Sequence, residues 1–284
     1  MAIKDYLILL TCSQKILQMK YLFILILIIS SYFSQAQEDS IQINTDRPGF
    51  SEAPKTIPKG YFQIEAGLFF ESETANQNDR FQVLNWNSTL VKYGVTSGWE
   101  LRLSQTYQSE RLLGIGPNPQ FNWVSYSGPV VLGSKIDLIQ ELDYIPQTAI
   151  LIEYGFNTFA PETLRRNDFY RIQITSKYQL NPQWYLMGNL GLDNNENFRQ
   201  LRFTLNTGYS LSEKLSIYGE IYGFRSEFRT PLNYFDGGFT YLINPKFQID
   251  LHAGFDLVQQ VNNIENYQQS FIAMGLGYLF KIQK

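Results

Sequence analysis

From Lys59 onward the hydrophobic residues recur at every second position. In LRFTLNTGYSL (201–211), Leu201, Phe203, Leu205 and Tyr209 share one face, while Arg202, Thr204, Asn206 and Ser210 share the other. In KFQIDLHAGFDL (246–257), Phe247, Ile249, Leu251 and Phe255 oppose Gln248, Asp250, His252 and Asp256. A period of two places alternate side chains on opposite faces of a β-strand. The pattern predicts strands over 59–72, 80–95, 99–110, 128–139, 147–157, 168–180, 183–193, 199–211, 214–224, 234–243, 246–257 and 269–281, twelve in all, and no amphipathic helix.

Connection lengths add a second regularity. Alternate connections are short: 96–98, 181–182, 212–213 and 244–245, with 140–146 the longest of that series. Those between them are mostly longer and polar, such as 111–127, 158–167 and 258–268. An even strand count with short turns at one end and long loops at the other is the layout of an outer-membrane barrel. Tyr93, Trp99, Tyr178, Trp184, Tyr209, Tyr241 and Phe247 border the short turns on the apolar parity. A membrane–water interface favours such rings, with the polar tip wet. A soluble sandwich or lipocalin-like barrel also alternates, with its apolar face inward. Polar faces crowded with Gly, Asn, Ser and mixed charge, and a last strand ending in Tyr278 and Phe280, favour the membrane alternative. The predicted fold is all-β: a transmembrane antiparallel up-and-down β-barrel of about 12 strands over residues 59–284.

The N-terminus says where such a barrel would work. LFILILII (22–29) follows Lys20 and precedes SSYFSQAQ. A basic residue, a short apolar run and a small-residue exit predict a cleaved signal peptide over residues 1–36, with Met19 a candidate start. The run is too short for a spanning helix, which takes about 20 residues. Cleavage after Ala36 would leave 284 − 36 = 248 residues and remove Cys12, the only cysteine, so neither a disulfide nor a thiolate metal site is expected. Losing three of 23 basic and one of 26 acidic residues leaves a net charge of −5, which argues against nucleic acid as a partner. The expected location is the outer membrane of a Gram-negative bacterium, with both chain ends periplasmic. Expected partners are membrane lipid, a small-molecule solute and, during biogenesis, the barrel-assembly machinery. Residues 37–58 read as an irregular lead-in, because TDRPGFSEAPKTIPKG (45–60) carries Pro48, Pro54 and Pro58. So much proline is rejected by helices and central strands alike.

With the polar parity facing the lumen, the inward charges are Glu65, Lys92, Glu100, Arg102, Lys135, Asp137, Glu153, Arg171, Lys177, Arg202, Glu220, Asp236, Asp250 and Asp256, with His252 among them. They read either as a selectivity lining or as ion pairs filling a narrow lumen. Twelve strands lie between the filled eight-stranded barrel and the wide sixteen-stranded one, so both remain open. A hydrolase would need His252, the sole histidine, beside a serine such as Ser210 or Ser216, but no Gly-x-Ser-x-Gly elbow is present. No catalytic residue, metal site or cofactor is assigned. GIGPNPQ (114–120) lacks the Lys-Ser/Thr of a phosphate loop, and Asn87-Ser88-Thr89 matches a glycosylation acceptor but falls inside a predicted strand.

TDRPGFSEAPKTIPKGYFQIEAG resembles the start of outer-membrane proteins of the family described as "Putative MetA-pathway of phenol degradation", through Asp46, Arg47, Pro48, Ser51, Pro58, Gly60, Gln63 and Glu65. LVKYGVTSGWELRL is similar to the family's next block through Tyr93, Gly94, Glu100, Leu101 and Arg102, with Lys92 where arginine is commoner. FDGGFTYLINPKFQIDLHAGF resembles its late strands. The resemblance implies a barrel of Bacteroidetes-type bacteria with a role in passive uptake of small hydrophobic or aromatic molecules. The alternative is a non-transporting structural or surface-interaction barrel working through its long loops; a hydrolase built on His252 is a third reading. Asp46, Arg47, Pro48 and Gly60 mark a candidate latch folded against the periplasmic mouth, with Arg47 pairing Glu65 and Asp46 pairing Arg102.

Overall fold

A computed structural model of the protein describes residues 41–75, 79–113, 122–156, 168–195, 199–226, 229–257, 260–261, 264–265 and 267–282. The expected signal peptide, residues 37–40 and the GIGPNPQ stretch lie outside the described residues. The strands are β1 (Tyr61–Ala75), β2 (Asp79–Thr96), β3 (Trp99–Leu113), β4 (Val124–Ile139), β5 (Gln147–Phe156), β6 (Phe169–Gln179), β7 (Trp184–Asn195), β8 (Arg199–Ser210), β9 (Leu215–Ser226), β10 (Arg229–Asn244), β11 (Phe247–Asp256), the two-residue pair β12 (Gln260–Val261) and β13 (Ile264–Glu265), and β14 (Gln268–Lys281). Twelve of them form a closed barrel in which each pairs antiparallel with its chain neighbour and β14 closes onto β1. Closure leaves no unpaired edge, which is what a sheet crossing lipid requires.

The alternation decides which way the barrel faces. Along β11, Gln248, Asp250, His252 and Gly254 are buried while Ile249, Leu251, Ala253 and Phe255 are exposed. Asp236 is 0% exposed and Leu205 60%. Polar inside and apolar outside is the reverse of a soluble sandwich and is stable only where the outer face meets hydrocarbon. Near the short turns, Trp99 Nε1 donates to Ser134 Oγ at 2.8 Å and Trp184 Nε1 to Thr207 Oγ1 at 2.6 Å. Each ring thus keeps its polar atom satisfied on the outer wall.

Several strands run past their predicted ends at the long-loop side. β10 starts at Arg229 rather than 234, and β3 reaches Leu113 rather than 110. Alternation stops there because neither face need be apolar beyond the membrane, while the ladder hydrogen bonds continue. Pro231 falls where the β9–β10 register shifts, between Arg229 and Leu232, where no ladder N–H is required. A line of irregular pairing also crosses β1–β4 at one level: the register shifts at Gly67/Phe69, Asn85/Asn87 and Gln105/Tyr107, with Pro129 of β4 opposite the last.

Candidate functional site

The proline-rich segment runs inside the barrel. At one end the Ile43 N–H donates to the Pro245 carbonyl at 2.8 Å, and at the other the Gly60 N–H donates to the Gly94 carbonyl at 2.8 Å. Both anchors lie at the short-turn end. Between them the chain climbs to Phe50, whose ring stacks on Tyr222 with centroids 4.1 Å apart and meets Phe271 edge-on at 5.9 Å. Tyr222 is the eighth of the twelve residues of β9 counted from the short turn. The segment therefore reaches past mid-barrel instead of resting against the mouth as expected. Its Arg47–Pro48 peptide is cis.

The inner wall explains how an irregular backbone can sit there. Buried N–H groups must find acceptors, and a segment broken by three prolines builds no ladder of its own. Wall side chains supply them. Glu65 accepts the Asp46 N–H at 3.1 Å; Glu220 accepts the N–H groups of Phe50 and Ser51 at 2.7 and 3.0 Å; Asn189 accepts that of Glu52 at 2.7 Å; Glu100 accepts that of Ile57 at 3.0 Å. Glu220 also takes a short hydrogen bond from the Ser51 hydroxyl. Four of the inward polar residues thus act as backbone acceptors, a role that strand parity alone does not reveal.

Charge fixes the segment's position. The Asp46 carboxylate meets Lys92 Nζ at 2.8 Å, Arg102 Nη1 at 3.0 Å and Lys135 Nζ at 3.0 Å. Burial would push this carboxyl up, but Lys135, Lys92 and Arg102 together hold it well below the usual range. Glu52 pairs with Arg102 at 2.9 Å and Lys135 at 3.4 Å. Burial dominates there, with Asp46 and Glu153 adding negative charge nearby, and its carboxyl is pushed up despite Arg102 and Lys135. The Asp46–Arg102 contact matches expectation; the other expected pair does not form. Arg47 reaches Asp250 at 3.3 Å, and Glu65 is taken by Lys92 at 2.5 Å and by Gln63 Nε2 at 2.8 Å. The Arg47 guanidinium fills the space left by two glycines: a Cβ on Gly67 would lie 2.5 Å from it, and one on Gly275 closer still. Gly275 faces Asp250 in the β11–β14 register, so the missing side chain opens the route to that carboxylate.

The remaining inward charges form further groups, one of them joined to the Asp46 site through Arg102 Nε, 3.8 Å from Glu153. Arg171 bridges Glu153 at 2.8 Å and Asp193 at 2.7 Å, with Arg202 3.9 Å from Asp193. Asp137 accepts from the Thr56 hydroxyl at 3.1 Å. Lys177 stands over the Tyr185 ring at 4.2 Å, and Asp256 accepts the Gln269 N–H at 2.6 Å. His252 Nδ1 lies 3.3 Å from Asp236, while Ser210 and Ser216 share a 3.1 Å hydrogen bond with each other. Among the described residues no group of three or more His, Cys, Asp or Glu could hold a metal ion. Space remains on the β6–β10 side. A cavity of about 80 Å³, bounded by Arg47, Pro48, Lys177, Tyr185, Asn206 and Tyr218, adjoins a vestibule of about 810 Å³ at the short-turn mouth, with Arg47, Lys177 and Tyr185 lining both.

A family model described as "Putative MetA-pathway of phenol degradation" matches residues 45–271. The chain belongs to this family. No curated protein matches it in sequence. A COG4313 outer membrane channel from Pseudomonas putida F1 shares the fold, with a TM-score of 0.59 at 14% identity over 82% of this chain and 99% of that one. The translocator domain of the autotransporter NalP from Neisseria meningitidis does so at 0.51, with 8% identity over 77% and 88%. The family match begins at Thr45, so the family pattern includes the segment inside the lumen as well as the wall.

Proposed function

We propose that this member of the family is a channel for passive passage of small molecules, hydrophobic or aromatic ones among them, closed by residues 41–58. It works in the outer membrane of a Gram-negative, Bacteroidetes-like cell, entered after cleavage of the signal peptide and folded by the barrel-assembly machinery, with both chain ends periplasmic. One observation carries the reading: the lumen is occupied by a tethered segment rather than by the wall's own side chains, and a tethered segment can leave. Asp46, Arg47, Pro48 and Gly60 then form the latch. The solute class follows from the family's description. The Pseudomonas relative in fold is a channel, and the lone histidine rests on a carboxylate, which supports a non-enzymatic role. Planar-bilayer recording tests the reading. The intact chain should show small or rare steps, and a chain lacking residues 41–58 large, steady ones. A shortened, folded barrel that conducts no better than the parent would sink it.

The depth and number of the contacts favour one second reading, a permanently closed barrel that acts through its surface. In that case unseating the segment would leave permeability unchanged, while loss of the 111–127 or 258–268 loop would abolish binding at the cell surface.

A further inference from the structure

The lipid-facing wall is not uniformly apolar. Where the pairing shifts across β2–β4, four outward polar side chains meet: Asn87, Thr89, Gln105 and Ser127. They line a cavity of about 470 Å³ together with Val91, Leu103, Tyr107 and Val130. Polar groups in the lipid-facing band are costly unless partnered. Here they are partnered halfway. Thr89 Oγ1 donates to Asn87 Oδ1 at 2.5 Å, and Gln105 Nε2 donates to Ser127 Oγ at 2.7 Å. Each bond engages one end of an amide. The other ends, a donor on Asn87 and an acceptor on Gln105, are what the notch can offer a guest. The bulges create the notch, because an extra residue bends the strand and re-aims its side chain.

We infer that this notch is a binding site for a compact amphiphile dissolved in the membrane, one with an apolar body and a single hydroxyl-type head. A hydroxyl both donates and accepts, which complements the Gln105 carbonyl and the Asn87 amide. Its volume falls in the usual range for small-molecule sites, about 300–1,000 Å³, and its make-up is the usual one of apolar wall with few polar groups. Its length suits a compact guest. The lining spans Asn87–Val91 and Leu103–Tyr107, five residues of each strand, or about 13 Å at 3.3 Å per residue. The site is independent of whether the lumen conducts.

Trp86 reports on it, being next to Asn87 and 54% exposed. The probe is 4-bromophenol, a quencher with a hydroxyl head; bromobenzene is its headless control. The Trp86 signal is the difference between the parent and Trp86→Phe, in detergent micelles without esters and in phosphatidylcholine vesicles. Saturable quenching by 4-bromophenol is expected in both, with affinity falling about tenfold or more in Asn87→Leu/Gln105→Leu, as loss of two hydrogen bonds implies. This double variant makes the lipid face more apolar, so it should fold at least as well as the parent. Quenching that is linear and equal in parent and variant overturns the site, since partition explains it. Saturation reproduced by bromobenzene overturns the role of the head. Saturation in micelles that disappears in vesicles assigns the notch to lipid and also overturns the proposal.

Discussion

Asp46 and Lys135 meet at 3.0 Å inside the barrel although 89 residues separate them in the chain. Lys135 is fully buried and also donates to the Ala53 carbonyl at 2.8 Å, so one ammonium holds both arms of the segment as it turns at Phe50. Three cations converge on one carboxylate there. The closed lumen therefore depends on charge that arrives with the segment, since Lys135 is paired by the segment's own Asp46 and Glu52.

Asp46→Asn keeps the shape and removes that charge. Deleting one partner of a buried ion pair costs about 3–5 kcal/mol, and the lower end applies here because Glu65, Glu52 and Glu100 still pair the three cations. The penalty falls on the seated state alone, since Lys92, Arg102 and Lys135 hydrate once the segment leaves. Bilayer recording should show a large rise in open time with the barrel still folded. Unchanged gating would mean that the backbone bonds to Glu220, Glu65 and Glu100 suffice.

Arg47 and Gly275 should behave as one unit. Arg47→Ala loses a charged hydrogen bond to Asp250, about 1.5–3 kcal/mol. Gly275→Ala forces a methyl into the guanidinium, an overpacking cost of about 1–3 kcal/mol. In the double variant the second cost disappears, because the obstructed group is gone. Hydrogen exchange over residues 41–58 would read this, with the double variant no worse than Arg47→Ala alone. Additive losses would place the strain at Gly275 elsewhere.

The wall was legible in the sequence and its contents, the Asp46–Arg102 pair apart, were not, for one physical reason. A period of two is a local property, and the membrane imposes it on every crossing; twelve strands, their facing and the inward parity of Glu65, Lys92 and Asp250 all follow from it. The segment has no period. Its position comes from pairings such as Asp46–Lys135 and Phe50–Tyr222, which strand parity cannot supply. Arg47 illustrates the limit. The sequence shows a nearby carboxylate in Glu65, but Lys92 on the adjacent strand claims it, and the vacancy that steers Arg47 to Asp250 is made by two glycines more than two hundred residues apart. The notch was missed because Asn87 and Gln105 look like ordinary strand polarity until the bulges are placed.

The facing of the barrel predicts opposite responses at adjacent positions. Leu205 is exposed on β8, and Asn206 is buried beside Glu220, donating to it at 3.1 Å. Leu205→Arg puts a charge on the lipid face, costing about 2–4 kcal/mol near the bilayer midplane. Urea unfolding from vesicles should show it, with conductance unchanged. Asn206→Ala removes a neutral donor from Glu220 and should leave the unfolding midpoint nearly in place while weakening the seat of Ser51. The reverse outcome would turn the barrel inside out.

Closure should depend on pH through two carboxylates of the segment with opposite signs. Asp46 is held below its ordinary value of 3.8 in the seated state. Its contribution to closure is therefore complete above that value and is lost as pH falls through the lowered one. Glu52 is held above its ordinary 4.5. Its contribution is complete below that value and is lost as pH rises through the raised one. The two limits bracket a closed window, with open time increasing at strongly acid pH and again as pH climbs above 4.5. The charged wall groups acting on Glu52 include Arg102, Lys135 and Glu153, and Arg171 and Arg202 also feel its charge. Glu52→Gln removes the upper limb and keeps the acid one; Asp46→Asn removes the acid limb. Bilayer recordings from pH 3 to 8 read both, and an upper limb that survives in Glu52→Gln would assign it to a wall carboxylate instead.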